Sequence, residues 1–156
     1  MPASAFSPAA PALVVRPRLV PSRTIDRSIR IHGEKPFEQL VTEAFDGPVL
    51  AECAGLLYLS NSLDGVPMCG RLDVRARMTG RLTLGYRDAV AAADSPVAAR
   101  GERVHGHEFH RTATDPGHGG SPAWEWDGRR HGFVAGTVHA SYLHTHWAGH
   151  PVAAAR

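Results

Sequence analysis

One cysteine stands where the local pattern predicts a nucleophile. Cys53 follows the apolar run 49–51 and precedes Ala54 and Gly55, small residues that lead into a second apolar stretch, 56–59. A sharp strand-to-helix turn exposes such a side chain above a sheet and aims the following backbone N–H groups at the atom that it attacks. The helix N-terminus also predicts a lowered thiol pKa. The alternative is a buried structural cysteine, because free cysteines are among the most buried residues.

A thiol nucleophile needs a base that takes its proton and later protonates the leaving amine. The candidates lie in the segment 139–146, His-Ala-Ser-Tyr-Leu-His-Thr-His. On a strand, Tyr142, His144 and His146 would share one face, because side chains alternate along a strand. The spacing of His144 and His146 is typical of two metal ligands, of a catalytic histidine with a partner two residues later, or of two surface histidines. The sequence alone does not distinguish these three interpretations.

A second histidine cluster is the segment 106–110, Gly-His-Glu-Phe-His. It is one residue short of the zinc-protease helix motif, whose histidines are four residues apart. A strand that places Glu108 and His110 on one face is favoured instead. The metal-binding alternative is a zinc site made of His107, His110, His144 and His146.

The secondary structure predicted to position these residues changes along the chain, from mixed helix and strand to mainly strands. Apolar residues at helical spacing predict a helix over 36–46, which ends at the turn 46–48. The buried strand 49–51 and the helix 56–59 follow. Alternating patterns and turn signals then predict strands over 80–86, 104–112, 122–126, 131–134 and 138–147. Asp127 and Gly128 predict a tight hairpin between the third and fourth of these strands. We therefore expect an α/β fold with a strand-rich second half.

Composition excludes several classes of protein. A chain of 156 residues with 43% hydrophobic residues is one domain, or one domain with a tail, and can bury a core. No apolar run approaches the ~18 residues that cross a bilayer. The net charge of +2 is too balanced for a dedicated nucleic-acid binder. Cys53 and Cys69 cannot form a disulfide scaffold and suit a reducing compartment, so we expect a cytoplasmic protein.

The first 35 residues differ from the rest. Residues 1–35 carry six basic and two acidic side chains, several prolines and no persistent period. A secretory signal is excluded because the arginines follow the apolar residues 12–15 instead of preceding them. We predict a disordered basic tail over 1–35 and a folded domain over 36–156.

Four blocks of the chain resemble cobyrinate or hydrogenobyrinate a,c-diamide synthases, and they come in that family's order. The blocks are residues 48–59, 78–86, 106–111 and 139–147. The resemblance runs from about Pro48 to the end of the chain. It implies the C-terminal part of a class I glutamine amidotransferase domain, truncated, with an α/β fold and the cysteine on a nucleophile elbow.

The resemblance also implies roles for single residues. Cys53 would attack the carboxamide of glutamine and release ammonia, with His144 as base and acid. The backbone N–H of Ala54 would form half of an oxyanion hole. Many class I amidotransferases carry a glutamate two residues after the histidine, and His146 stands there, so a dyad without an acidic third member is expected. Supporting roles could fall to Glu108, His110 and His146.

In complete members of the family, ammonia reaches a carboxylate of cobyrinate or hydrogenobyrinate that ATP has activated, with magnesium. This chain has no glycine-rich phosphate loop, so we expect it to bind no cofactor itself. We expect a fragment, or half of a split enzyme, that leaves one edge of the strand before Cys53 uncovered. The alternatives are an inactive remnant or binding subunit, and a small histidine-rich metal protein.

Overall fold

The computed structural model describes residues 13–15 and 47–150. The predicted helix over 36–46, and all of the predicted tail except residues 13–15, lie outside the described residues. The elements are, in chain order, β1 Leu13–Val15, β2 Val49–Glu52, α1 Ala54–Leu59, β3 Ser62–Leu63, β4 Val66–Pro67, β5 Arg75–Ala91, β6 Arg103–Asp115, β7 Trp124–Trp126, β8 Arg129–His131, β9 Phe133–Ala135, β10 Val138–Ser141, β11 His144–Thr145 and a 3-10 helix Trp147–Gly149.

The first sheet has the strand order β1-β2-β10-β9. β1, β2 and β10 are parallel, and β9 runs antiparallel to β10. Every residue of β2 and β10 is buried, as in parallel strands covered on both faces. The predicted strand 49–51 is therefore confirmed. The sequence did not predict β1, which pairs along β2 from Leu13 opposite Val49 to Val15 opposite Ala51 and so covers the edge that we expected to be open.

The second sheet is built on a long antiparallel hairpin of β5 and β6. β11 lies on the outer side of β6, while β3 and β7 pair with β5. β5 extends well beyond the predicted range 80–86, whereas β6 agrees with the predicted range 104–112 to within one residue at its start and three at its end. One set of alternate residues, Leu84, Tyr86 and Phe109, faces outward, and Tyr86 and Phe109 are 90% and 58% exposed.

The predicted hairpin at Asp127 and Gly128 is confirmed. These residues connect β7 to β8 with φ angles of 51° and 69°, the left-handed conformation that a two-residue type I′ turn requires. The strand predicted over 131–134 is divided, however. β8 ends at His131 in the second sheet and β9 begins at Phe133 in the first, with Gly132 at φ 71° between them.

The single strand predicted over 138–147 is wrong. β10 ends at Ser141 in the first sheet, and β11 begins at His144 in the second. Leu143, which is fully buried, anchors the crossing between the two sheets in the core. The alternation of apolar residues at Val138, Ala140 and Tyr142 changes phase at Leu143, where the chain crosses, and the prediction of a single strand did not use this shift. Tyr142, His144 and His146 consequently do not share a strand face.

The core lies on both faces of the first sheet. Val49 and Ala51 pack with Leu56 and Leu59 of α1 on one face. The intervening residue Leu50 points to the other face, into a cluster that the second sheet contributes. That cluster includes Val104, Trp124, Trp126 and Leu143. Within the ranges 13–15 and 47–150, no helix is long and apolar enough to cross a membrane.

Candidate active site

Cys53 occupies a strained elbow between β2 and α1. Its φ and ψ angles are 51° and −105°, which a residue with a side chain rarely adopts. Such backbone strain costs ~1–3 kcal/mol and is concentrated at functional sites. The Cys53 N–H donates to the Ser141 carbonyl at 2.8 Å and so joins the elbow to the end of β10. The predicted strand–turn–helix context of Cys53 is confirmed.

The thiol of Cys53 is half-buried under β6. Its Sγ lies 3.8 Å from the carbonyl oxygen of Phe109. Burial raises the pKa of the Cys53 thiol, and the carboxylates of Glu52 and Glu108 raise it further, while the backbone N–H of Ala54 lowers it. The predicted net lowering by the helix N-terminus is therefore wrong, because one N–H does not compensate for desolvation and two acidic neighbours. The resting group is a thiol, so it needs a base to react.

His144 lies on the short strand β11, opposite His107 of β6. The two imidazole rings are stacked, with centroids 4.9 Å apart and an interplanar angle of 14°. The side chain is 32% exposed, and its Nδ1 lies 4.0 Å from Oε2 of Glu52. Its neighbours are thus a second histidine on one side and a carboxylate next to the elbow on the other.

Glu52 is a site residue that the sequence reasoning missed. It is the last residue of β2, directly before Cys53, and is only 6% exposed. Its Oε1 accepts hydrogen bonds from the N–H and the hydroxyl of Thr145, at 2.9 Å and 2.7 Å. The available signal was a glutamate that ends an otherwise apolar buried strand, since buried carboxylates need partners.

The predicted supporting residues Glu108 and His110 lie together. The buried carboxylate of Glu108 accepts hydrogen bonds from Nε of Arg87 at 2.9 Å and from Nε2 of His110 at 3.4 Å. Burial opposes the ionisation of Glu108, but His110 and Arg87 outweigh it and hold the pKa of this carboxyl below its usual value. The His110 ring stacks on Tyr142 with centroids 3.7 Å apart. Burial raises the pKa of Tyr142 to about 12, with smaller contributions from its neighbours Cys53 and Glu108.

His146, the third predicted supporting residue, is exposed and follows the end of β11. The four histidines considered for zinc are not assembled into one site: His107 stacks on His144, whereas His110 stacks on Tyr142. In the described part of the chain, no group of three or more histidine, cysteine, aspartate or glutamate residues could hold a metal ion. Cys69 lies in a loop after β4, where its N–H donates to the carbonyl of Tyr58.

Comparison with known proteins agrees with this geometry. The family of CobB/CobQ-like glutamine amidotransferase domains matches residues 25–152. A hydrogenobyrinate a,c-diamide synthase of Streptomyces coelicolor is 62% identical over 117 residues, which are 72% of this chain and 24% of that protein. The corresponding protein of Thermobifida fusca is 56% identical over 117 residues, 70% of this chain and 25% of the relative.

More distant similarity extends to a cobyrinate a,c-diamide synthase of Gloeobacter violaceus, 40% identical over 115 residues, 70% of this chain and 25% of the relative. The chain thus spans about a quarter of the length of these curated relatives. The predicted resemblance and α/β amidotransferase-like fold class are confirmed. The match begins at residue 25, earlier than the start near Pro48 that the four blocks predicted. The chain belongs to the family of CobB/CobQ-like glutamine amidotransferase domains.

Proposed function

We propose that the chain is the glutaminase portion of a corrinoid a,c-diamide synthase, with Cys53 as its nucleophile. The observation that carries the proposal is the elbow at Cys53, whose φ of 51° supports a side chain held out between a buried strand and a helix. This geometry is typical of enzymes that attack a carbonyl carbon. Cys69, in its loop, has no comparable setting.

In the proposed reaction, His144 takes the thiol proton as Cys53 Sγ attacks the carboxamide carbon of glutamine. A C–S bond forms, and the carbonyl oxygen becomes an oxyanion that the Ala54 N–H stabilises. The C–N bond then breaks, His144 returns the proton to nitrogen, and ammonia leaves. Water, deprotonated by His144, hydrolyses the glutamyl thioester to glutamate and restores the thiol. Because burial raises the pKa of Cys53, the first proton transfer is essential.

The residues around the thiol support this chemistry. The Ala54 N–H already favours the thiolate, as a donor directed at the sulfur would. Glu108 is held as an anion by Arg87 and His110, close enough for its charge to act on Cys53. A fixed carboxylate of this kind suits the α-ammonium group of glutamine. We therefore assign Glu108 and His110 supporting roles at the substrate side of the thiol.

Ammonia would then amidate carboxylates of cobyrinate or hydrogenobyrinate, the substrates named for the relatives. ATP and magnesium would activate those carboxylates in a different part of the complete enzyme. The residues of this chain do not fit an ATP–magnesium site. The sequence holds no phosphate loop, and the described residues include no cluster of side chains that could hold a metal ion. The cytoplasm, a reducing compartment, suits an enzyme whose nucleophile must remain a free thiol.

Labelling with a glutamine-analogue diazoketone tests the proposal. The reagent should alkylate Cys53 and leave Cys69 unmodified, as located by peptide mass spectrometry, and excess glutamine should protect Cys53. Cys69→Ser is the matched control and should be labelled at the wild-type rate. Labelling confined to Cys69, or labelling that glutamine does not slow, would contradict the assignment and leave a binding subunit or inactive remnant.

A further inference from the structure

Glu52 bridges the two sheets at the active site. It ends β2 in the first sheet, and both of its carboxylate oxygens face β11 in the second: Oε1 contacts Thr145, and Oε2 faces His144. We propose that Glu52 is a positioning residue for His144 and supplies the acidic third member that position 146 lacks. This inference rests on the proposed roles of Cys53 and His144.

Thr145 fixes the orientation of the carboxylate. Its N–H and its hydroxyl both donate to Oε1, at 2.9 Å and 2.7 Å, which are distances of strong charge-assisted hydrogen bonds. Two bonds to one oxygen hold the plane of the carboxylate, so Oε2 has little freedom. Because Thr145 follows His144 directly, the same contact sets the position of the His144 backbone relative to the elbow.

Oε2 is the oxygen that faces the imidazole. It lies 4.0 Å from Nδ1 of His144, an ion-pair distance that is longer than a hydrogen bond. Catalytic hydrogen bonds are often long or poorly aligned without substrate and shorten when it binds. A carboxylate on this side favours the tautomer with hydrogen on Nδ1, which leaves Nε2 as the base. It also stabilises the imidazolium that forms when His144 takes the thiol proton.

The other carboxylate near the thiol is engaged elsewhere. Glu108 is bound to Arg87 at 2.9 Å and to His110 at 3.4 Å. The aromatic neighbour of His144 is His107, which stacks on the ring and so limits its rotation. Glu52 is therefore the described carboxylate whose geometry suits it to orient His144, and Glu108 provides a matched control of the same residue type and similar burial.

Nitrogen NMR of the full chain with labelled histidine tests the tautomer directly. Above neutral pH, the His144 ring should carry its hydrogen on Nδ1. Glu52→Gln should convert most of the population to the Nε2–H form or to a mixture, whereas Glu108→Gln should leave the His144 tautomer unchanged. An Nε2–H ring in the wild type would overturn the proposal without any variant, so the test does not depend on the folding of Glu52→Gln. An equal response to both substitutions would also overturn it.

The labelling rate of Cys53 provides the functional readout. Glu52→Gln should slow the alkylation of Cys53 at least ~100-fold at a saturating concentration of the glutamine analogue, because a histidine in the wrong tautomer is a poor base. The concentration of analogue that gives half the maximal rate should not change. Thr145→Val keeps the hydrogen bond from the backbone N–H to Glu52 and should slow the alkylation of Cys53 less than ~10-fold. Wild-type-like labelling of Glu52→Gln would reject the role of Glu52. Absence of labelling in the wild type would instead reject the proposed function, while the tautomer measurement still decides about Glu52.

Discussion

The backbone of His144 lies against Gly106, and no side chain fits between them. A Cβ on Gly106 would stand 2.6 Å from the carbonyl oxygen of His144 and 2.8 Å from Cγ of Leu143. Gly106 pairs with Thr145 in the ladder between β6 and β11. The glycine therefore sets how closely the strand that carries His144 approaches the strand above the thiol.

Gly106→Ala should displace β11 and reduce the activity of the thiol. We expect the alkylation rate of Cys53 to fall at least ~10-fold, since small misplacements of a catalytic group are costly. The matched control is Gly120→Ala, where an added Cβ meets nothing within 4 Å. The prediction fails if both alanine variants are labelled at the wild-type rate.

Removal of the proposed base should affect the chemical step. His144→Ala should slow formation of the thioester with glutamine at least ~100-fold, the usual scale of acid–base catalysis. Rapid-quench mass spectrometry of the covalent intermediate measures this rate. His118→Ala, which removes an exposed histidine, should behave as the wild type. Equal rates in the two variants would mean that another group activates Cys53.

The same variant should reveal the raised pKa of Cys53. Without a base, reaction requires spontaneous ionisation of the thiol, so the labelling rate of His144→Ala should rise about tenfold for each unit of pH. Because burial raises the thiol pKa above its ordinary value of 9.0, the rise should continue beyond that pH. A plateau at neutral pH would show that the thiolate is stabilised by groups other than His144.

His139 should make the stability of the fold sensitive to acid. The residue is buried, its Nδ1 lies 3.0 Å from Oγ of Ser95, and burial lowers its pKa to about 3. The unfolded chain, with an ordinary histidine pKa near ~6.5, binds more protons in acid. Stability is therefore complete above that value and falls as pH decreases. We expect a loss of about 2–3 kcal/mol between about pH 7.5 and about pH 4.5.

Urea unfolding as a function of pH, monitored by tryptophan fluorescence, tests this effect. His139→Asn places a polar group near Ser95 but has no ionisable ring, so its unfolding free energy should vary less over the same pH interval. Glu108, whose pKa is lowered in the folded state, also makes the fold less stable in acid. Because the wild type and His139→Asn both contain Glu108, the difference between their pH profiles isolates the effect of His139. Parallel pH profiles for the two proteins would contradict the prediction.

The sequence predicted the parts of the site that are encoded by neighbouring residues. The strand, turn and helix of the elbow at Cys53 follow from the local pattern of residues 49–59 and were all predicted correctly, although the Cys53–Ser141 hydrogen bond also joins the elbow to β10. Glu52 was missed because its contacts depend on Thr145, which is distant in sequence. The direction of the Cys53 pKa was wrong for the same reason, since burial and the charge of Glu108 come from tertiary packing. The break between β10 and β11 was missed because the prediction of one strand ignored the change of phase between Tyr142 and Leu143.

The hairpin of β5 and β6 carries a different set of side chains on each of its two faces. Glu108 and His110 lie on one face of β6, where the charge of Glu108 acts on the thiol. Phe109 between them, Leu84 opposite Phe109 and Tyr86 opposite His107 lie on the other face. The outward face is not isolated from the chemistry, because Tyr86 packs edge-on against His107 and the His107 ring stacks on that of His144, the proposed base.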